Sequence, residues 1–141
     1  MSGAARHAAA GAAGTALWAA LEPLDRRLLG HDYSDVALLG KWVTRGPLWP
    51  VAGVAWHLAN GASFGLALHA LRRGTGAEPR RLALGLALVE HVGLYPLSIL
   101  VDRHHPARGE RGVTAVWSKR AFAAATVRHA LFGAVLGRLV R

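Results

Sequence analysis

"LALGLALVEHVGLYPLSILVDRHHP" occupies residues 82 to 106. From Leu82 to Val101 it is built of Leu, Ala, Val, Ile and Gly, broken only by Glu90, His91, Tyr95, Pro96 and Ser98. A helix rises about 1.5 Å per residue, so a run of this length reaches across the hydrocarbon core of a bilayer, about 30 Å thick. Such a helix needs little more than lipid around it, plus something polar beside Glu90 and His91. A core helix of a soluble bundle is the competing reading, and the polar interruptions are what keep it open.

Three more stretches follow the same pattern to different degrees. Trp49–Leu71 and Ala121–Val140 have comparable length and apolar content, with basic residues near both ends. Ala8–Leu24 is shorter and is interrupted near its end by Glu22 and Pro23. The expected fold is therefore all-α: one domain over residues 1–141, an integral membrane bundle of four transmembrane helices at 8–24, 49–71, 82–101 and 121–140. "SDVALLGKWV" (34–43) opens on a capping serine and reads as a short interfacial helix between the first two spans. The N-terminal stretch has no small-residue cleavage site at "LEPLDRR", so it is expected to be retained as a helix.

Composition supports this reading. Hydrophobic residues make up 52% of the chain, mostly Ala, Leu and Val, which together with the many glycines favours close-packed helices over sheet. The absence of cysteine excludes disulfides, zinc–thiolate sites, iron–sulfur clusters and thiol catalysis. The net charge of +9 suits anionic lipid or nucleic acid. Its distribution decides between them: basic residues cluster in connectors such as "RRGTGAEPRR" (72–81) and "DRHHPARGERG" (102–112), not along one helix face, so lipid headgroups are expected and nucleic acid is not. Trp42, Trp49 and Trp117 would then form an aromatic belt on one side, as an even number of spans requires. The basic residues divide almost evenly between the two sides. Acidic residues collect in the first and third connectors, which leans toward a cell-membrane protein with cytoplasmic termini.

Small residues recur at four-residue spacing in "GAAGT" (11–15) and "GASFG" (61–65), the pattern that lets helix backbones approach in lipid. They are expected to form packing faces, within one chain or in a homo-oligomer.

If the long helices are centred on the bilayer, His57, Asn60, Glu90, His91, Arg128 and His129 share one depth. Charge at a helix centre costs several kcal/mol unless it faces a partner or a wet cavity, so Glu90 is expected to face Arg128. Glu90, His91, Arg128 and His129 are the candidate catalytic groups, with His57, Asn60, Tyr95, Ser98, Asp102 and Arg103 as candidate ligand-binding residues. His91, Tyr95, Ser98 and Asp102 fall in one stripe at about 100° per residue, and Pro96 within it leaves a carbonyl free and can kink the helix. At the membrane surface Asp32, Asp35, Asp102, His104 and His105 offer carboxylate and imidazole ligands to a divalent metal, with Arg26, Arg27 and Arg103 nearby for a phosphate headgroup. Their spacing matches no strong motif.

These residues frame three functions. The first is binding or acid–base modification of a lipid or isoprenoid-like ligand entering between helices. The second is electron transfer through haem held by His57 or His91 opposite His129. The third is a structural or accessory subunit in which the polar residues only fix packing.

Overall fold

The computed structural model describes residues 1–140. Its helices are α1 (Gly3–Leu29), α2 (Asp35–Val43), α3 (Trp49–Thr75), α4 (Pro79–Leu94), α5 (Ser98–His104) and α6 (Lys119–Leu139), with a 3₁₀ turn at Tyr95–Leu97 joining α4 to α5. The described residues contain no β-strand. An isolated bridge between Tyr33 and Gly112 ties two connectors together. Two helical segments are long and apolar enough to cross a membrane: Trp49–Thr75, and Pro79–His104 taken through the 3₁₀ turn.

Local chemistry accounts for most of the boundaries. Ser2, Ser34 and Ser118 cap α1, α2 and α6 by accepting from Ala5 N, Ala37 N and Ala121 N. Glu78 does the same for α4, whose first residue is Pro79. Gly30 and Gly76 end α1 and α3 at φ 64° and 65°, the left-handed conformation that glycine adopts without strain. Pro96 interrupts the third long helix, as its missing N–H requires. Pro23 does not end the first: α1 runs on to Leu29, beyond the expected stop at Leu24, and so carries Glu22 and Asp25 on one continuous helix.

The long helices form two antiparallel pairs, α1 with α3 and α4 with α6, while α3 and α4 meet only slightly. The start of α1 meets the end of α3, where the His7 and His69 rings lie 4.8 Å apart. Arg72 near that same end donates to Val140 O at 2.9 Å. The termini and the α3–α4 turn therefore share one end of the bundle. The connectors 30–48 and 105–118 share the other, joined by Ser34 N to Gly112 O (2.9 Å), His105 to Leu38 O (2.9 Å) and Lys41 to Glu110 (3.0 Å). At the terminal end Leu68, Leu136, Ala83 and Ala87 are fully buried with Phe64 and Phe132. At the connector end, α2 packs against α3.

The expected small-residue faces form the seam of the α1–α3 pair. A Cβ on Gly11 would lie 1.9 Å from Gly61 O, and one on Gly65 would lie 2.0 Å from His7 O. Backbone touches backbone there.

Candidate functional site

Between the two pairs, on the connector half, a cleft of about 420 Å³ remains, a volume in the range that holds small molecules. α3 contributes Trp56, His57, Asn60 and Phe64 to its wall, and α1 contributes Thr15 and Trp18. α4 brings Glu90, α6 brings His129 and Phe132, and α2 brings Asp35 and Trp42. Four of the residues expected at mid-depth, His57, Asn60, Glu90 and His129, thus line one space.

The polar groups of this wall are not equally satisfied. His129 Nδ1 donates to Ala125 O at 2.7 Å, which leaves Nε2 as an acceptor in the neutral ring. His57 is 7% exposed, and its Nε2 is buried without a hydrogen-bond partner. Glu90 forms no ion pair among the described residues. Asp35, by contrast, is paired through Oδ2, which accepts from Trp18 Nε1 at 3.1 Å and from Arg128.

Arg128 does not face Glu90. It turns to the far side of α6, where Asp25 takes its guanidinium through Nε and through Nη2 at 2.6 Å. Asp35 and Glu22 flank Nη1. The guanidinium carbon also sits 4.8 Å from the Tyr33 ring centroid. Glu22 is anchored in turn by the Ser34 hydroxyl at 2.7 Å and by Asp35 N. The cause is azimuth: Arg128 and His129 are adjacent in sequence and therefore point about 100° apart on the helix, one toward α1 and the other toward the cleft and α4. Arg128 is a structural hub holding α1, α2 and α6 together, and it leaves the set of candidate catalytic groups.

Beside the hub, burial and the Arg128 cation push the His31 imidazole below its ordinary value, against the opposing pull of Asp25 at 3.7 Å. Burial and the Asp35 carboxylate push the Tyr33 phenol up. Both side chains keep buried polar atoms without partners.

The stripe His91–Tyr95–Ser98–Asp102 exists, but it faces α6 and the preceding loop. His91 Nε2 meets Thr126 Oγ1 at 2.9 Å. Tyr95 Oη donates to the carbonyls of Val116 and Ser118. Ser98 Oγ bonds Tyr95 O, and the Asp102 carboxylate accepts from Val116 N and Trp117 N at 2.7 and 2.8 Å. Tyr95, Ser98 and Asp102 hold backbone, His91 meets a side chain of α6, and Arg103 is exposed beside them. None of the five lines the cleft.

The metal expectation fails for a related reason. Among the described residues no group of three His, Asp or Glu gathers around one point. Asp32 pairs with Arg26, Asp35 with Arg128, and Asp102 holds the loop. His105 spends both nitrogens on Leu38 O and Ala107 N, while His104 is exposed. Haem does not fit either. His91 stacks on His129 with centroids 4.8 Å apart and planes at 28°, too close for a porphyrin between them. Between His57 and His129 stands Trp18, with its ring edge-on to both at 5.4 and 5.0 Å.

Composition could have pointed to the hub's importance, because Glu22, Asp25 and Asp35 are three of only eight acidic residues in the chain. Comparison with family models, with curated proteins and with solved structures finds no match.

Proposed function

We propose that this chain is a multi-pass membrane protein, all four long helices crossing the bilayer with the termini in the cytoplasm, and that it binds a lipophilic small molecule in the cleft between its helix pairs. One observation carries the reading: a small-molecule-sized cleft in the bundle is walled by polar side chains from three helices, His57 and Asn60 of α3, Glu90 of α4 and His129 of α6, and Glu90 has no ion-pair partner among the described residues. A few convergent polar groups in an otherwise apolar space are what orient a bound small molecule.

The outer surface supports the membrane half of the proposal. Leu28 is 74% exposed, Val89 70% and Leu131 57%, on three different helices, an apolar coat that water would penalise and lipid accepts. The slight contact between α3 and α4 gives a ligand a lateral route to the cleft. Binding is favoured over acid–base turnover because two of the four candidate catalytic groups, His91 and Arg128, are committed to packing.

The binding test uses the neutral dye N-phenyl-1-naphthylamine with the protein in lipid nanodiscs. Saturable fluorescence enhancement is expected, and Asn60→Trp should abolish it by filling the cleft. Unchanged dye binding by a folded Asn60→Trp protein places the ligand elsewhere. For topology, single cysteines at Ser34 and Gly109 should label from one face of the membrane and a cysteine at Thr75 from the other.

A further inference from the structure

The cleft sorts charge against the composition of the chain. Among the described residues no lysine or arginine lines it, while two of the eight acidic residues, Asp35 and Glu90, do. Asp35 shares the single charge of Arg128 with Asp25 and Glu22. Glu90 has no ion-pair partner at all among the described residues, and a carboxylate withdrawn from water without a partner is costly. His129 adds an acceptor, because its Nδ1 donates to Ala125 O and leaves Nε2 to accept in the neutral ring. An anionic headgroup would meet repulsion from Glu90 and no guanidinium or ammonium to hold it.

The apolar wall is aromatic in the way a cation requires. Trp18, Trp42 and Trp56 come from three different helices to the same space, joined by Phe64 and Phe132. Indole is the best cation-binding face among side chains, and an aromatic cage beside a carboxylate is how proteins take quaternary ammonium groups. The chain already uses this attraction internally, with Lys41 Nζ 5.3 Å from the Trp49 ring centroid.

We propose that the ligand of the cleft is a lipophilic organic cation, an amine or quaternary ammonium on a hydrocarbon body, with its nitrogen against Glu90 and the Trp42 and Trp56 rings. This rests on the cleft being a binding site. The hydrocarbon body lies toward the gap between α3 and α4.

The test compares dodecyltrimethylammonium, dodecanol and dodecyl phosphate, which share a chain and differ in charge, on protein in phosphatidylcholine nanodiscs. Quenching or shift of tryptophan fluorescence is read against empty nanodiscs. The ammonium compound should bind about tenfold more tightly than either of the others. Glu90→Gln should erase that preference, Glu90→Asp should restore part of it, and Trp56→Leu should weaken it several-fold, all with unchanged thermal stability. If dodecanol or dodecyl phosphate binds as tightly as the cation, the cleft is a lipophile site and the cation proposal is overturned. If none of the three binds, the binding-site reading falls and takes the cation with it. A cation preference that survives Glu90→Gln would also overturn the assignment.

Discussion

α3 meets α1 and α4 on opposite terms. Toward α1 and α2 it presents Gly53, Gly61 and Gly65 at four- and eight-residue intervals, and the backbones close until no Cβ would fit. One position earlier in each turn the same helix presents Trp56, Asn60 and Phe64, and there the neighbouring helix stands off around a cleft. Two adjacent rows of one helix thus build a seam and a site. Small residues let dispersion contacts form along a whole helix, while bulky ones hold the next helix away and line the space they make.

The seam is the sharper half of this contrast and the easier to break. Gly11→Leu or Gly65→Leu drives side-chain atoms into backbone that has no rotamer to move, since the nearest atoms are the carbonyls of Gly61 and His7. A loss of roughly 4 kcal/mol or more is expected, at the exceptional end of single substitutions. Gly85 has nothing within 4 Å of its Cβ position, so Gly85→Ala in α4 should be neutral or stabilising, because alanine favours helix. Thermal unfolding of the three variants checks the difference. Equal effects at Gly65 and Gly85 would remove the seam from the argument.

Next in size comes the hub that joins the two pairs. Arg128→Gln strands Asp25, Glu22 and Asp35 around a space that has lost its cation, and about 3–5 kcal/mol should be lost, as when a buried ion pair loses one member. A double-mutant cycle with Asp25→Asn should show strong coupling. The cycle with Glu90→Gln should be additive to within about 0.5 kcal/mol, since the two residues share no partner. Coupling between Arg128 and Glu90 would reinstate a pairing that the geometry does not contain.

The contrast also shows how far the sequence could be read. Helix content, the small-residue rows, the cap at Ser34 and the break at Pro96 were all legible, because each depends on spacing or on a single residue's backbone chemistry. That His57, Asn60, Glu90 and His129 fall at one level of the bundle was legible too. Azimuth was not. Arg128 and His129 have one depth and different directions, and only tertiary packing decides which of them meets Glu90. The hub was hidden for a second reason: Pro23 suggested a helix end, which put Asp25 outside the span, whereas α1 continues and sets Glu22 and Asp25 three residues apart on the face toward Arg128.

At the site itself the expected effect on stability is smaller still. Glu90 has no ion-pair partner among the described residues, so Glu90→Gln should leave the stability within about 0.5 kcal/mol of the parent, while it removes the discrimination between cationic and neutral ligands. Marked destabilisation by this substitution would show that Glu90 belongs to the packing, with His91 and Arg128, and not to the cleft.

The connector end offers the smallest and most specific probe, because two of its groups titrate in opposite senses of charge. His31 has its imidazole held below the ordinary value of 6.5 by burial first and by Arg128 second, so folding favours its neutral form. The stability this contributes is complete above about pH 6.5 and is lost as pH falls through the folded value, since the unfolded chain binds the proton more readily. Glu110 behaves as a depressed carboxylate: hydrogen bonds from Lys41 and Arg45 keep it below the ordinary 4.5, and its contribution is present above that pH and fades only on further acidification. Acid titration of thermal stability should therefore fall in two stages. His31→Asn should shrink the upper stage and Glu110→Gln the lower, while the α1–α3 seam, which carries no carboxylate, keeps its helix content through both. An upper stage diminished by Glu110→Gln, or left unchanged by His31→Asn, would mean that His31 takes no part in the acid response.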